Sequence, residues 1–296
     1  MAAVLAVLGI GGVGGLIAAR TGALCVASER TAAAIGESGL RLVHDGRTVV
    51  THPETVPRLE EPVPLLLIAV KAPALRSALE RIDPAAVAEA IVVPLLNGLE
   101  HLDTIRRALP HALVVAGSIG RVETVSPEPG VVVQHTPGAL VTAASDVLAA
   151  DVLRARLAPL AVDGIALAIG TGERAVLWEK AARLSVLAAA TVATGQPVGA
   201  LRREETSRMR LVHSLDETCA VAAAEGIELA PAEQLAIIDG MSPELTTSTA
   251  RDVAAGRPNE LDAITGSVVR AGARLGVPTP ELDAWLGEAE AACRAR

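Results

Sequence analysis

The sequence predicts an α/β protein: a doubly wound parallel sheet in residues 1–168, followed by an all-helical domain in residues 169–296. Three observations carry this expectation. Apolar runs of strand length alternate with helix-like segments up to about residue 165, the pattern of a parallel sheet covered on both faces. From about residue 172 the strand signals stop, and Ala, Leu, Glu and Arg recur with helical periodicity. A length of 296 residues exceeds one compact core and suits two domains of roughly 100–200 residues each.

The predicted strands are 3–9, 23–28, 65–70, 90–96 and 112–117, all rich in Val, Leu, Ile and Ala. The segments "GVGGLIAAR", "RTAAAIGES", "PALRSALERI" and "LEHLDTIRRAL" lie between them with apolar residues near helical spacing. The insertion "GLRLVHDGRTVVTHP" alternates and turns at Asp45-Gly46, which predicts a hairpin. A further strand pair is expected from "GVVVQHT" and "ALVTAA".

Composition narrows the function. The chain has no Phe, no Tyr and two Trp, so the core is aliphatic and no stacking platform for single-stranded nucleic acid exists. A net charge of −8 further disfavours a polyanionic partner. Cys25, Cys219 and Cys293 form no CxxC or His-paired metal spacing. They read as reduced thiols of a cytoplasmic protein that needs no metal. The uncharged start "MAAVLAVLGIGGVGGLIAA" lacks a basic n-region and carries five glycines, so neither a signal peptide nor a membrane span is expected.

Within that start, Gly9, Gly11 and Gly14 form G-x-G-x-x-G directly after a strand and opening a helix. Dinucleotide binding needs these glycines in that order: a tight turn, a backbone bare enough for a pyrophosphate, and close helix-to-strand packing. Gly9, Ile10, Gly11, Gly12, Val13 and Gly14 are therefore the expected loop. At the end of the second strand, Glu29 suits the ribose hydroxyl of NAD, whereas Ser28 and Arg30 suit the 2′-phosphate of NADP. Both cofactors remain open on these residues alone.

Of 26 basic side chains only Lys71 and Lys180 are lysines, and the only asparagines are Asn97 and Asn259. Lys71 and Asn97 follow predicted strands, where ligands of open parallel sheets gather. Lys180 lies in "VLWEKAARL", and Glu260 follows Asn259 in "GRPNELDAI". His101 reads as a polar helix position and Trp178 as packing.

The ordered set "GIGGVG", "SER", "AVKAP", "PLLNGLEH", "VLWEKAARL" and "STARDVAAGRPNELDAI" resembles the ketopantoate reductase (2-dehydropantoate 2-reductase) family from the N-terminus to about residue 285. The resemblance implies a Rossmann domain joined to a helical domain, with substrate and nicotinamide meeting between them. It implies Lys180 as proton donor, Asn97 and Ser248 on substrate, Glu260 at the cofactor and substrate junction, Lys71 at the nicotinamide end, and Val122 meeting the cofactor through its backbone. The activity implied is NADPH-dependent reduction of a 2-keto acid by a monomer or homodimer. Keto acid reduction places negative charge on oxygen and needs an acid that can release a proton; lysine can be tuned by burial, arginine cannot.

The sequence departs from the family at Leu184 and Ala188, one and two helical turns after Lys180, and at Leu96 and Leu245, where amides are usual. A less polar pocket wall and a substrate more apolar than ketopantoate are expected. Two other readings stand: an NAD-dependent reductase of another hydroxy acid or imine, favoured by Glu29, and a non-catalytic nucleotide-binding redox sensor. For Ser248 the competing reading is a helix N-cap.

Overall fold

The computed structural model describes residues 3–295. Contacts divide the chain into two units, residues 1–96 with 101–176, and residues 97–100 with 177–296.

The strands of the first unit are β1 (Ala6–Leu8), β2 (Leu24–Val26), β3 (Leu40–His44), β4 (Arg47–Thr51), β5 (Thr55–Val56), β6 (Leu65–Ile68), β7 (Ile91–Pro94), β8 (Leu113–Val114), β9 (Ala116–Gly120), β10 (Thr124–Val125), β11 (Val131–Gln134), β12 (Ala139–Ala144) and β13 (Ile165–Ile169). Its helices are α1 (Gly12–Thr21), α2 (Glu29–Ser38), α3 (Leu75–Leu79), α4 (His101–Ala108) and α5 (Ala150–Arg156). The main sheet has the order β5-β2-β1-β6-β7-β8, and its ladders are all parallel. Its strands are buried on both faces, which is why they read as unbroken apolar runs. The direction of winding reverses between β1 and β6, so the ends of those two strands flank the switch point of the sheet.

Asp45 and Gly46 both take positive φ (49° and 70°), making the two-residue turn that joins β3 to β4. Two strand expectations are corrected. The run 112–117 is not one strand: Leu113–Val114 ends the main sheet, while Ala116 onward forms β9 in a second sheet, β13-β12-β9. Nor do "GVVVQHT" and "ALVTAA" pair with each other. β11 joins β3 and β10, whereas β12 lies between β9 and β13. Both strands alternate, and alternation fixes a buried face without naming the neighbour.

The second unit contains most of α6 (Glu173–Thr194), then α7 (Val198–Arg203), α8 (Glu205–Ala224), α9 (Pro231–Asp239), α10 (Ser248–Ala254), a π-helical turn at Asp262–Gly266, α11 (Ser267–Leu275) and α12 (Pro280–Arg294). Its core holds both tryptophans, each fully buried; the Trp178 indole donates to Glu225 Oε2 at 2.9 Å, and the Arg210 guanidinium stacks 3.5 Å from the centre of the Trp285 ring. Among the described residues, no helix is long and apolar enough to cross a membrane.

Candidate active site

The first unit builds a phosphate-type loop at the end of β1. Gly9 adopts φ +94°, and a Cβ there would stand 2.4 Å from the Val70 side chain, so the turn accepts only glycine. A Cβ on Gly14 would lie 1.9 Å from the Gly9 carbonyl oxygen, which is the close approach of helix to strand. Around the Cβ position of Gly11 there is nothing within 4 Å. That glycine is the N-cap of α1 and, lacking a side chain, leaves the helix start uncapped, and the first turn carries no acidic residue. The first N–H groups of a ten-residue helix have no intrahelical acceptor, and with the Gly11 position open the helix start offers the donors and positive end that a pyrophosphate requires. Gly12 packs against Thr124, Ile10 is nearly buried and Val13 is half-buried.

Ser28 N-caps α2: its hydroxyl accepts from the Thr31 N–H and donates to Thr31 Oγ1. Glu29 and Arg30 follow it, both exposed in the first turn of α2. Lys71, just past β6, is exposed at the start of a short 3-10 turn. Val122 is half-buried, and its neighbour Arg121 takes φ +53°, a conformation unusual for a side chain of that size.

The second unit gathers Lys180, Glu260 and Asn97. Lys180 lies on α6 with its side chain largely covered, and burial lowers its pKa from 10.5 to about 8. Glu260 opposes that shift by attraction; Arg183, three residues along the helix, adds to it by repulsion. Glu260 is itself buried, and its Oε2 accepts from Asn97 Nδ2 at 3.1 Å.

Three contacts set this arrangement. Gly98 takes φ +93° with its Cβ position 2.0 Å from the Ala263 carbonyl oxygen, so the Asn97-Gly98 turn sits directly on the π-helical turn that follows Glu260. Arg270 holds the same segment through two hydrogen bonds to Glu100 (3.0 and 2.8 Å) and two to Asp262, one to the carboxylate (2.6 Å) and one to the backbone carbonyl (3.2 Å). Thr265 donates to the Ser185 carbonyl of α6 at 2.7 Å, fixing the Glu260 segment against the Lys180 helix. None of these contacts is signalled by local spacing, although the glycine after Asn97 hints at the first.

Ser248 stands exposed at the first position of α10, and the cap there is Thr247, which accepts from Ala250 N–H and pairs with Thr191 at 2.8 Å. The cap reading for Ser248 is therefore displaced by one residue. His101 is buried at the start of α4 rather than on a polar face. Leu184 is half-buried and Ala188 fully buried. Among the described residues, no group of His, Cys, Asp and Glu could hold a metal ion.

A parallel sheet with a bare glycine turn at its switch point, and a helical unit holding a lysine with a lowered pKa, are the two parts of a nicotinamide-type oxidoreductase. Residues 5–146 match the family model described as ketopantoate reductase PanE/ApbA, and residues 174–291 match that of its C-terminal part. The chain belongs to the ketopantoate reductase family. It is similar to a PanE/ApbA family ketopantoate reductase from Ralstonia eutropha JMP134, with 29% identity and a TM-score of 0.86 over 98% of both chains. It is 25% identical over 289 residues, 94% of each chain, to the uncharacterized oxidoreductase YkpB of Bacillus subtilis (strain 168). A D-mandelate dehydrogenase whose structure holds NADH and anilino(oxo)acetate shares the fold, with 22% identity and a TM-score of 0.87 over 98% of both chains.

Proposed function

We propose that this protein reduces a 2-keto acid to the 2-hydroxy acid with NADPH, acting on ketopantoate or on a family substrate less polar than it. The observation that carries the reading is Lys180: a covered ammonium with a pKa near 8, held beside the Glu260–Asn97 pair. Such a group hydrogen-bonds a carbonyl oxygen and releases its proton as negative charge builds there. Glu260 keeps it protonated at neutral pH, and Asn97 holds the Glu260 carboxylate in place.

The first unit fits the cofactor on its own geometry, because the Gly11 backbone is open and the Gly9 and Gly14 positions admit no side chain. The loop Gly9 to Gly14 would hold the pyrophosphate, Arg30 the 2′-phosphate, and Lys71 and Val122 the nicotinamide end. Ser28, already engaged in capping, would order Arg30 rather than bond the phosphate itself. When bound, the nicotinamide supplies hydride to the carbonyl carbon. On the substrate side, half-buried Leu184 gives α6 an aliphatic side chain one turn after Lys180, which supports an apolar substrate tail, whereas Ala188 is fully buried and does not line that surface. The exposure of Glu29 beside Arg30 favours NAD as the second reading.

Steady-state NADPH oxidation over a panel of 2-oxo acids tests the proposal, with ketopantoate and its deoxy analogue included and Lys180→Ala as the inactive control. Equal turnover by the wild type and Lys180→Ala defeats it. A preference for ketopantoate over the deoxy analogue defeats the apolar-pocket part alone.

A further inference from the structure

We infer that Arg183 grips the substrate carboxylate. The inference rests on the 2-keto acid reading above. Arg183 lies one turn after Lys180 on α6, and residues three apart on a helix project from one face. Its side chain is half-buried, yet among the described residues its only hydrogen bond runs to a neutral partner, Gln234 Oε1 at 2.6 Å, and no carboxylate lies within ion-pair distance. Other arginines of the same unit are paired: Arg208 with Asp239, Arg210 with Glu281 and Glu288, Arg270 with Glu100 and Asp262, and Arg274 with Glu225.

A half-buried cation that lacks a counter-ion is costly, and placing it beside a second cation adds repulsion. Arg183 pulls the Lys180 pKa down by repulsion, and burial lowers that of Arg183 itself, with exposed Glu179 opposing from outside ion-pair range. Glu260 neutralises one of the two charges. An arriving monoanion would neutralise the other.

The geometry suits a carboxylate in particular. Gln234 is buried and occupies one terminal nitrogen of the guanidinium, which fixes its plane and leaves donors for a bidentate pair. A 2-keto acid carries its carboxylate on the atom next to the carbonyl carbon, so Lys180 on the carbonyl oxygen and Arg183 on the carboxylate would address adjacent groups of one molecule. Leu184 and Ala188 offer that carboxylate nothing.

The test compares a 2-keto acid with its neutral 2-keto amide in wild type, Arg183→Met and Arg183→Lys. The expected result in Arg183→Met is a fall of about 10–100-fold in kcat/KM for the acid, with the amide changed by less than about 3-fold, with KM for NADPH unchanged and with Tm held or raised. Arg183→Lys should recover part of the acid preference. Equal losses for acid and amide, or an acid preference that survives in Arg183→Met, overturn the inference. Should Arg183→Met not fold, Gln234→Leu serves instead: releasing the guanidinium should raise KM for the acid alone, and equal change for both substrates counts against Arg183. A wild type that reduces no 2-keto acid defeats the functional reading rather than this assignment.

Discussion

Asn97 Nδ2 donates to Glu260 Oε2 across 3.1 Å, although 163 positions separate the two residues in sequence. The bond orients the carboxylate that sustains the charge of Lys180, and its geometry depends on a glycine turn seated on a π-helical turn.

The first consequence concerns pH. Lys180 titrates near 8, so the rate of carbonyl reduction should hold below that value and fall above it as the ammonium loses its proton. Because Glu260 raises this pKa, Glu260→Gln should move the alkaline limb of the kcat profile to lower pH. A limb that stays in place would separate the two residues functionally.

Stability should move in the opposite sense to activity. The folded-state pKa of Lys180 lies below its ordinary 10.5, so the charged form costs stability below about pH 8, and the cost fades as pH rises from about 8 to 10.5. Lys180→Met should therefore be inactive yet more stable at pH 7 by about 1–3 kcal/mol. In denaturant titrations that gain should shrink at pH 10.

The glycine loop offers a contrast between two alanine variants. At Gly14 the added Cβ collides with the Gly9 carbonyl, so Gly14→Ala should lower the melting temperature as well as cofactor affinity. At Gly11 the added Cβ meets open space. Gly11→Ala should keep stability within about 1 kcal/mol but weaken NADPH binding by at least about 10-fold, measurable by nicotinamide fluorescence titration.

Gly98 tests the placement of Asn97. With φ +93° and the Ala263 carbonyl 2.0 Å from its Cβ position, Gly98→Ala must lift the Asn97 turn off its seat. We expect kcat to fall by about 10-fold or more while KM for NADPH is retained. If kcat survives, Asn97 is not needed where the structure puts it.

Cofactor choice should follow Arg30. Arg30→Ala should raise KM for NADPH by about 10–100-fold and leave that for NADH nearly unchanged, the loss of one charge-assisted pair. Better turnover with NADH in the wild type, weakened by Glu29→Ala, would establish the NAD reading instead.

How much of this was legible depends on the range of the interaction. The parallel strands and the Asp45-Gly46 turn were readable because each is set by neighbouring residues: an apolar run buried on both faces, or positive φ at two adjacent positions. Lys180 stood out by its scarcity among the basic residues, and Gly9, Gly11 and Gly14 by their spacing. Strand partnership was not legible, since β11 and β12 are consecutive yet lie in different sheets. Ser248 and Thr247 are both good caps, and only the packing of Thr247 against Thr191 chose between them.

The sequence by itself determined most of the elements and which rare residues are candidates for chemistry, because periodicity, turn geometry and the choice of lysine over arginine are local facts. Tertiary structure alone decided that Glu260 meets Asn97, that Arg270 clamps Glu100, and that Arg183 is left half-buried with a neutral partner. Those outcomes depend on desolvation and on contacts between distant segments, and neither quantity exists until the chain has packed.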